Sequence, residues 1–176
     1  TFTANNGDNL VVRMGMITDT NLFWPSVRLY GPDGQLLRSS ANDLAAEVSI
    51  RATNSGTFLV VVGDGNGGLY GSGDYRLTLA KTGDPVVVSA EDDGGPMTNG
   101  LMHTGTILMG DLDLWTFTAN NGENLVVRMG QITDISTFYH WGRLYGPDGA
   151  LLWTSFDTMV VEKTMRATNS GTFIVV

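Results

Sequence analysis

The chain has 176 residues, no cysteine, a net charge of −8 and 23 glycines. The lack of thiols excludes a disulfide framework and a thiolate metal site. The acidic balance disfavours nucleic acid and anionic membranes, which want basic patches, and no apolar run approaches the length of a membrane-spanning helix. Charged residues make up only 16% of the chain. Gly, Thr, Asn and Ser fill the polar positions, a profile of β-sheet with many turns.

Residues 1–4 read as a strand end, and Asn5-Asn6-Gly7-Asp8 as a turn, since Asn and Gly tolerate positive φ. Residues 10–15 alternate, with Leu10, Val12 and Met14 on one face and Val11 and Arg13 on the other. Residues 16–27 are irregular and predict a loop or an exposed edge. Residues 27–30 and 35–39 pair across Gly31-Pro32-Asp33-Gly34, where Pro pre-sets φ and Gly takes the positive-φ position. Residues 42–50 could begin a helix, but their counterpart, residues 158–165, is β-branched and decides for a strand. After the turn at Asn54-Ser55-Gly56, the apolar run 57–62 predicts a central strand buried on both faces. Residues 63–73 form a glycine-rich loop and 75–80 a closing strand. Residues 81–100 read as a junction: a break at Asp84-Pro85, a short extended piece at 86–88 and a loop at 91–96. A strand at 104–109 opens the next unit, and 110–113 turns into a strand at 114–118.

The pattern then repeats. The run Thr1 to Gly15 returns as Thr116 to Gly130 with the single change of Asp8 to Glu123, and 39 of the 61 positions aligned at this offset are identical. That self-similarity marks a repeat architecture. The expected fold is all-β, a tandem array of antiparallel, jelly-roll-like β-sandwich repeats of about 115 residues, a normal single-domain size. Residues 1–84 are the C-terminal part of one repeat, 85–100 the junction, and 101–176 the N-terminal part of the next. The expectation is a window cut from a longer tandem chain, or strands exchanged between molecules.

Four stretches carry a family resemblance: Gly110-Asp111-Leu112-Asp113-Leu114-Trp115-Thr116-Phe117, Gly122, Arg143-Leu144-Tyr145-Gly146-Pro147-Asp148-Gly149 and Ser170-Gly171-Thr172-Phe173, with Gly73-Asp74-Tyr75-Arg76-Leu77 closing the pattern. In these the chain resembles the bacterial pre-peptidase C-terminal domain family. The resemblance implies a jelly-roll-like sandwich, an accessory module of secreted bacterial proteins, some of whose relatives bind calcium and collagen.

Asp111 and Asp113, with Asp92 and Asp93, form the densest acidic group, and Asp64 lies in a glycine-rich loop. Calcium wants several carboxylate and carbonyl oxygens, so Ca2+ is the candidate cofactor; the alternative for each is a solvated turn carboxylate. The spacing Gly63-x-Gly65-x-x-Gly68 fits a dinucleotide fingerprint in letters only, because no helix can follow it. His103 and His140 read as surface histidines. Lys81 and Lys163 read as exposed. Trp115, Phe117 and Phe58 read as core. The variable loops hold Phe23, Trp24, Phe138, Tyr139 and Trp141, which with Pro85 are the candidate unit–unit contacts. No nucleophile elbow or thiol is present, so an enzyme is not expected. The expected role is structural: an extracellular or cell-surface fibre of β-sandwich units whose partner is itself, with no nucleic acid and no membrane insertion. The alternatives are an extracellular binding module for collagen, glycan or a cell-surface ligand, and an accessory domain of a secreted hydrolase.

Overall fold

A computed structural model describes residues 1–18, 23–66, 71–133, 138–157 and 159–176. Among them the chain is all-β and divides into two compact units, Thr1–Asp84 with Gly105–Asp113 and Pro85–Thr104 with Leu114–Val176.

In the first unit the strands are β1 (Phe2–Ala4), β2 (Asn9–Met16), β3 (Pro25–Tyr30), β4 (Leu36–Ala41), β5 (Ala45–Arg51), β6 (Gly56–Asp64) and β7 (Tyr75–Lys81). They form two antiparallel sheets, in the orders β1-β6-β3-β4 and β5-β2-β7. The sandwich core draws from both: Leu10, Val12 and Met14 of β2, Val48 of β5, Val27 and Leu29 of β3, and Phe58 of β6. Residues 42–50, ambiguous alone, are strand β5, because the alternation of Ala46 and Val48 inward fits the period of a half-buried strand.

Three features of this unit depart from the expectation. The strand buried on both faces is β2, while β6, although central in its sheet, leaves Leu59 and Val61 exposed. An apolar run thus marks the middle of a sheet without saying whether its second face is covered. Residues 104–109 form no strand; from Gly105 on they lie in the segment Gly105–Asp113, which belongs to the first unit. There Arg13 of β2 donates from Nη1 to the Asp111 carbonyl. The backbones of Gly15 and Gly110 approach so closely that a Cβ on either would overlap the other. This contact, together with φ +72° at Gly110, is what requires glycine at both positions. The third is Lys81, expected to be exposed. Its side chain is largely covered, with Nζ 2.7 Å from Asp84 and 3.4 Å from Asp8.

The second unit holds β8 (Gly94–Pro96), β9 (Leu114–Ala119), β10 (Asn124–Gly130), β11 (His140–Tyr145), β12 (Leu151–Asp157), β13 (Val160–Arg166) and β14 (Gly171–Val175). The sheet orders are β12-β11-β14-β9-β8 and β10-β13. Its core sets Leu144 and Phe173 with Ala119 and Ala167, flanked by Phe117, Leu125, Trp153 and Met165. The short strand β8 falls inside the stretch read as a loop. Gly-Gly-Pro has no strand propensity, and its parallel pairing with β9, Gly94 opposite Leu114, is a long-range contact. Proline is tolerated because β8 is the edge of its sheet.

Equivalent residues make equivalent bonds. The Gly7 N–H donates to the Ala52 carbonyl and the Gly122 N–H to the Ala167 carbonyl, both at 2.8 Å. The Asn6 and Asn121 N–H groups reach the hydroxyls of Ser55 and Ser170, both at 2.9 Å. Phe2 stacks on Phe58 as Phe117 does on Phe173, with ring centroids 5.6 and 5.2 Å apart. The strand β2 pairs β5 from Asn9↔Arg51 to Gly15↔Ala45, and β10 pairs β13 from Asn124↔Arg166 to Gly130↔Val160.

Candidate functional site

Asp111 and Asp113 belong to the first unit, and Asp92 and Asp93 to the second. Asp111 is buried. Its carboxylate already has protein partners: Oδ2 lies 3.0 Å from Nη1 of Arg76, and Oδ1 accepts the Leu112 N–H at 3.0 Å. A buried carboxylate needs such a cation and such donors to offset its desolvation. The positive charge at Asp111 is therefore Arg76, a residue of β7, and the pair fastens the segment 105–113 to the sheet that β7 edges. Asp92 accepts the N–H of Asp93 at 3.1 Å, a turn contact. Sequence reasoning missed Arg76, because nothing local links it to a carboxylate 35 positions along the chain.

Asp64 is likewise a turn organiser. Its Oδ1 accepts the N–H groups of Asn66 and Trp24, at 3.0 and 3.1 Å, and its Oδ2 that of Gly71 at 2.9 Å. These donors, Asn66 first, hold its pKa below the ordinary carboxylate value. Asp111 and Asp64 thus both have protein donors on their carboxylates. Residues 67–70 of the glycine-rich loop, Gly68 among them, lie outside the described residues, as do 19–22 and 134–137 of the variable loops and Thr158.

The candidate contact aromatics separate into two kinds. Phe23 is buried in the core of the first unit, and its equivalent Phe138 is half-buried, with its ring 4.9 Å from that of His140. Phe is kept at this position in both copies, whereas the next position changes from Trp24 to Tyr139. Trp24, Tyr139 and Trp141 are exposed, and so is Pro85. In the second unit Tyr139 stacks on Phe156, with centroids 5.1 Å apart and planes 5° from parallel. Trp141 stands opposite Phe156 in the pairing of β11 with β12, and the Arg143 guanidinium lies 4.4 Å from its ring. An exposed aromatic surface therefore runs across β11 and β12. The first copy carries Ser26 and Ala41 where this surface has Trp141 and Phe156.

His140 is not a surface residue: it is 1% exposed, and neither ring nitrogen has a hydrogen-bond partner. It begins β11, where the strand turns its side chain inward onto Phe138. His103 accepts the Thr98 N–H through Nε2 at 3.0 Å and packs on Trp115. Both histidines thus make local contacts. No helix among the described residues is long and apolar enough to cross a membrane.

No family model matches the chain, and no curated protein matches it. The reading of its role therefore stands on its own residues.

Proposed function

We propose that this chain is a non-catalytic, architectural β-protein of the extracellular or cell-surface kind, part of a fibre in which β-sandwich units adjoin further copies of themselves. One observation carries the reading. The strand Asn9 to Gly15 recurs residue for residue as Asn124 to Gly130, with an equivalent antiparallel partner in an equivalent register. What is repeated is turn locks, core rings and strand pairing. His140 is not repeated: Pro25 stands where the second copy has it. Repeats that keep their scaffold and vary their chemistry suit a load-bearing array, in which each unit contacts chiefly its neighbours. The resemblance to pre-peptidase C-terminal domains fits a secreted setting but concerns turn and strand residues alone.

Electron microscopy of the native material tests this. Filaments with a regular bead support the fibre. Monodisperse single particles at all concentrations count against it.

The aromatic surface of Tyr139, Trp141 and Phe156 favours a second reading, a binding module for a glycan or a protein ligand, since exposed aromatic groups concentrate at contact sites. Replacing Trp141 and Phe156 by Ser and Ala, as in the first copy, would abolish such binding and leave filaments intact.

A further inference from the structure

Among the described residues, the dipeptide Asn-Gly sits at the centre of three turns of one form. The Asp8 N–H closes the first onto the Asn5 carbonyl, around Asn6-Gly7. The Glu123 N–H closes the second onto the Asn120 carbonyl, around Asn121-Gly122. The Leu101 N–H closes the third onto the Thr98 carbonyl, around Asn99-Gly100, and all three bonds measure 3.1 Å. The central glycines take φ of 98°, 92° and 79° in the same order, the positive values that such turns reserve for glycine.

What holds the middle of each turn differs. The Gly7 and Gly122 N–H groups donate to the carbonyls of Ala52 and Ala167 at 2.8 Å. The residue before each is also fixed, since the Asn6 and Asn121 N–H groups donate to the hydroxyls of Ser55 and Ser170 at 2.9 Å. At the third turn, neither the Gly100 N–H nor the Asn99 side-chain amide makes a hydrogen bond among the described residues. Both residues are exposed, and nothing lies within 4 Å of the point where a Cβ on Gly100 would stand.

We infer that Asn99 is a site of spontaneous deamidation, and that the same dipeptide at 6–7 and 121–122 is protected by its hydrogen bonds. In this reaction the Gly100 backbone nitrogen attacks the side-chain carbonyl carbon of Asn99. A C–N bond forms and closes a succinimide ring. The bond from that carbon to the side-chain NH2 group breaks, and the proton lost by Gly100 passes through solvent to the departing ammonia. Water then opens the ring at either of its carbonyls, giving aspartate or isoaspartate. Each product carries one more negative charge, and in isoaspartate the backbone runs through the side-chain methylene. Solvent water is the only co-reactant. Glycine suits the attacking residue because it has no side chain to hinder the approach. A nitrogen whose N–H is bound to a carbonyl can neither lose its proton nor turn toward the neighbouring side chain. At Gly7 and Gly122 the reaction must therefore wait for local opening; at Gly100 it need not. The consequence is local as well. The Thr98 N–H donates to His103 Nε2 at 3.0 Å, and the His103 ring packs on Trp115, so a longer backbone at position 99 pulls on this contact and on the bond that closes the turn.

The site stands whether or not the chain forms filaments. Incubation of the full 176-residue chain at mildly alkaline pH, followed by peptide mapping with mass spectrometry, tests it. Labelling with an isoaspartyl methyltransferase identifies the isoaspartate. In the folded chain, conversion at Asn99 should run roughly tenfold or more faster than at Asn6 or Asn121. In concentrated urea the hydrogen bonds are gone, and the three rates should converge. Equal rates in the folded chain, or faster conversion at Asn6 or Asn121, would overturn the inference. So would a ranking that persists unchanged in urea, because the cause would then be neighbouring residues and not the fold.

Discussion

Arg76 of β7 sets its guanidinium 3.0 Å from the buried Asp111 carboxylate, tying the sheet β5-β2-β7 to the segment 105–113 of the same unit. Arg13 reinforces the tie by donating to the Asp111 carbonyl.

Removing the cation should cost more than removing the anion. Arg76→Met leaves a buried carboxylate with its charge uncompensated. The expected loss is about 1–3 kcal/mol, between the limits for exposed and buried pairs, because Arg76 is itself partly exposed. Asp111→Asn keeps an acceptor for the Leu112 N–H and should lose less. Urea unfolding gives the ranking, and faster amide exchange at residues 105–113 locates the effect.

Two equivalent glycines should respond in opposite directions. Gly15→Ala drives a methyl group into the Gly110 backbone, and about 2 kcal/mol or more should be lost as the segment is displaced. Gly130→Ala meets nothing nearer than the Met159 carbonyl oxygen at 3.7 Å, an ordinary contact. It should be neutral or stabilise by a few tenths of a kcal/mol, by restricting the unfolded chain. Thermal melts of the two variants decide the matter, and equal effects would mean the Gly15–Gly110 contact is absent in solution.

Burying His140 without partners costs stability. His140→Leu removes two unsatisfied nitrogens while keeping most of the volume against Phe138. It should stabilise the chain by about 1 kcal/mol. A loss of stability would mean that the imidazole has a partner in solution.

Acid should weaken the Asp64 turn. Backbone donors lower its folded-state pKa, so its contribution is complete above the ordinary Asp value, near pH ~4. It is lost as pH falls through the lower folded value. The stability of Asp64→Ala should therefore depend less on pH than that of the parent in this acidic range. The turn at Glu123, whose pKa is lowered by the Asn120 N–H and then the Asn120 side-chain amide, should behave in the same sense.

Calcium should change little. With Arg76 on Asp111 and three N–H groups on Asp64, millimolar calcium against a chelator should leave the melting temperature unmoved. A saturable rise that disappears in Asp111→Asn would show the ion displacing Arg76.

Much of the fold is legible in the residues because its signals are local. The turns at Gly7 and Gly34 need the positive φ that only glycine adopts freely, 98° and 78° here. Between them the alternation of Leu10, Val12 and Met14 names a core face. The second copy even resolved residues 42–50, since one fold must suit both sequences. The site was less legible. Asp111 was visible as a carboxylate in a turn, but its partner sits on β7, and Phe23 and His140 looked like surface residues because a loop says nothing about what lies beneath it.

The chain's own letters thus determined turns, strands and which side of each strand is apolar, since backbone sterics and side-chain period act within a few residues. Tertiary structure decided everything that depends on a second segment arriving: the pairing of Gly94–Pro96 with β9, the ion pair at Asp111, and the burial of β2 on both faces. Val11 is buried because Ala80 of β7 lies opposite it. Burial is a property of what covers a residue, and here the covering pieces come from residues 75–81 and 105–113.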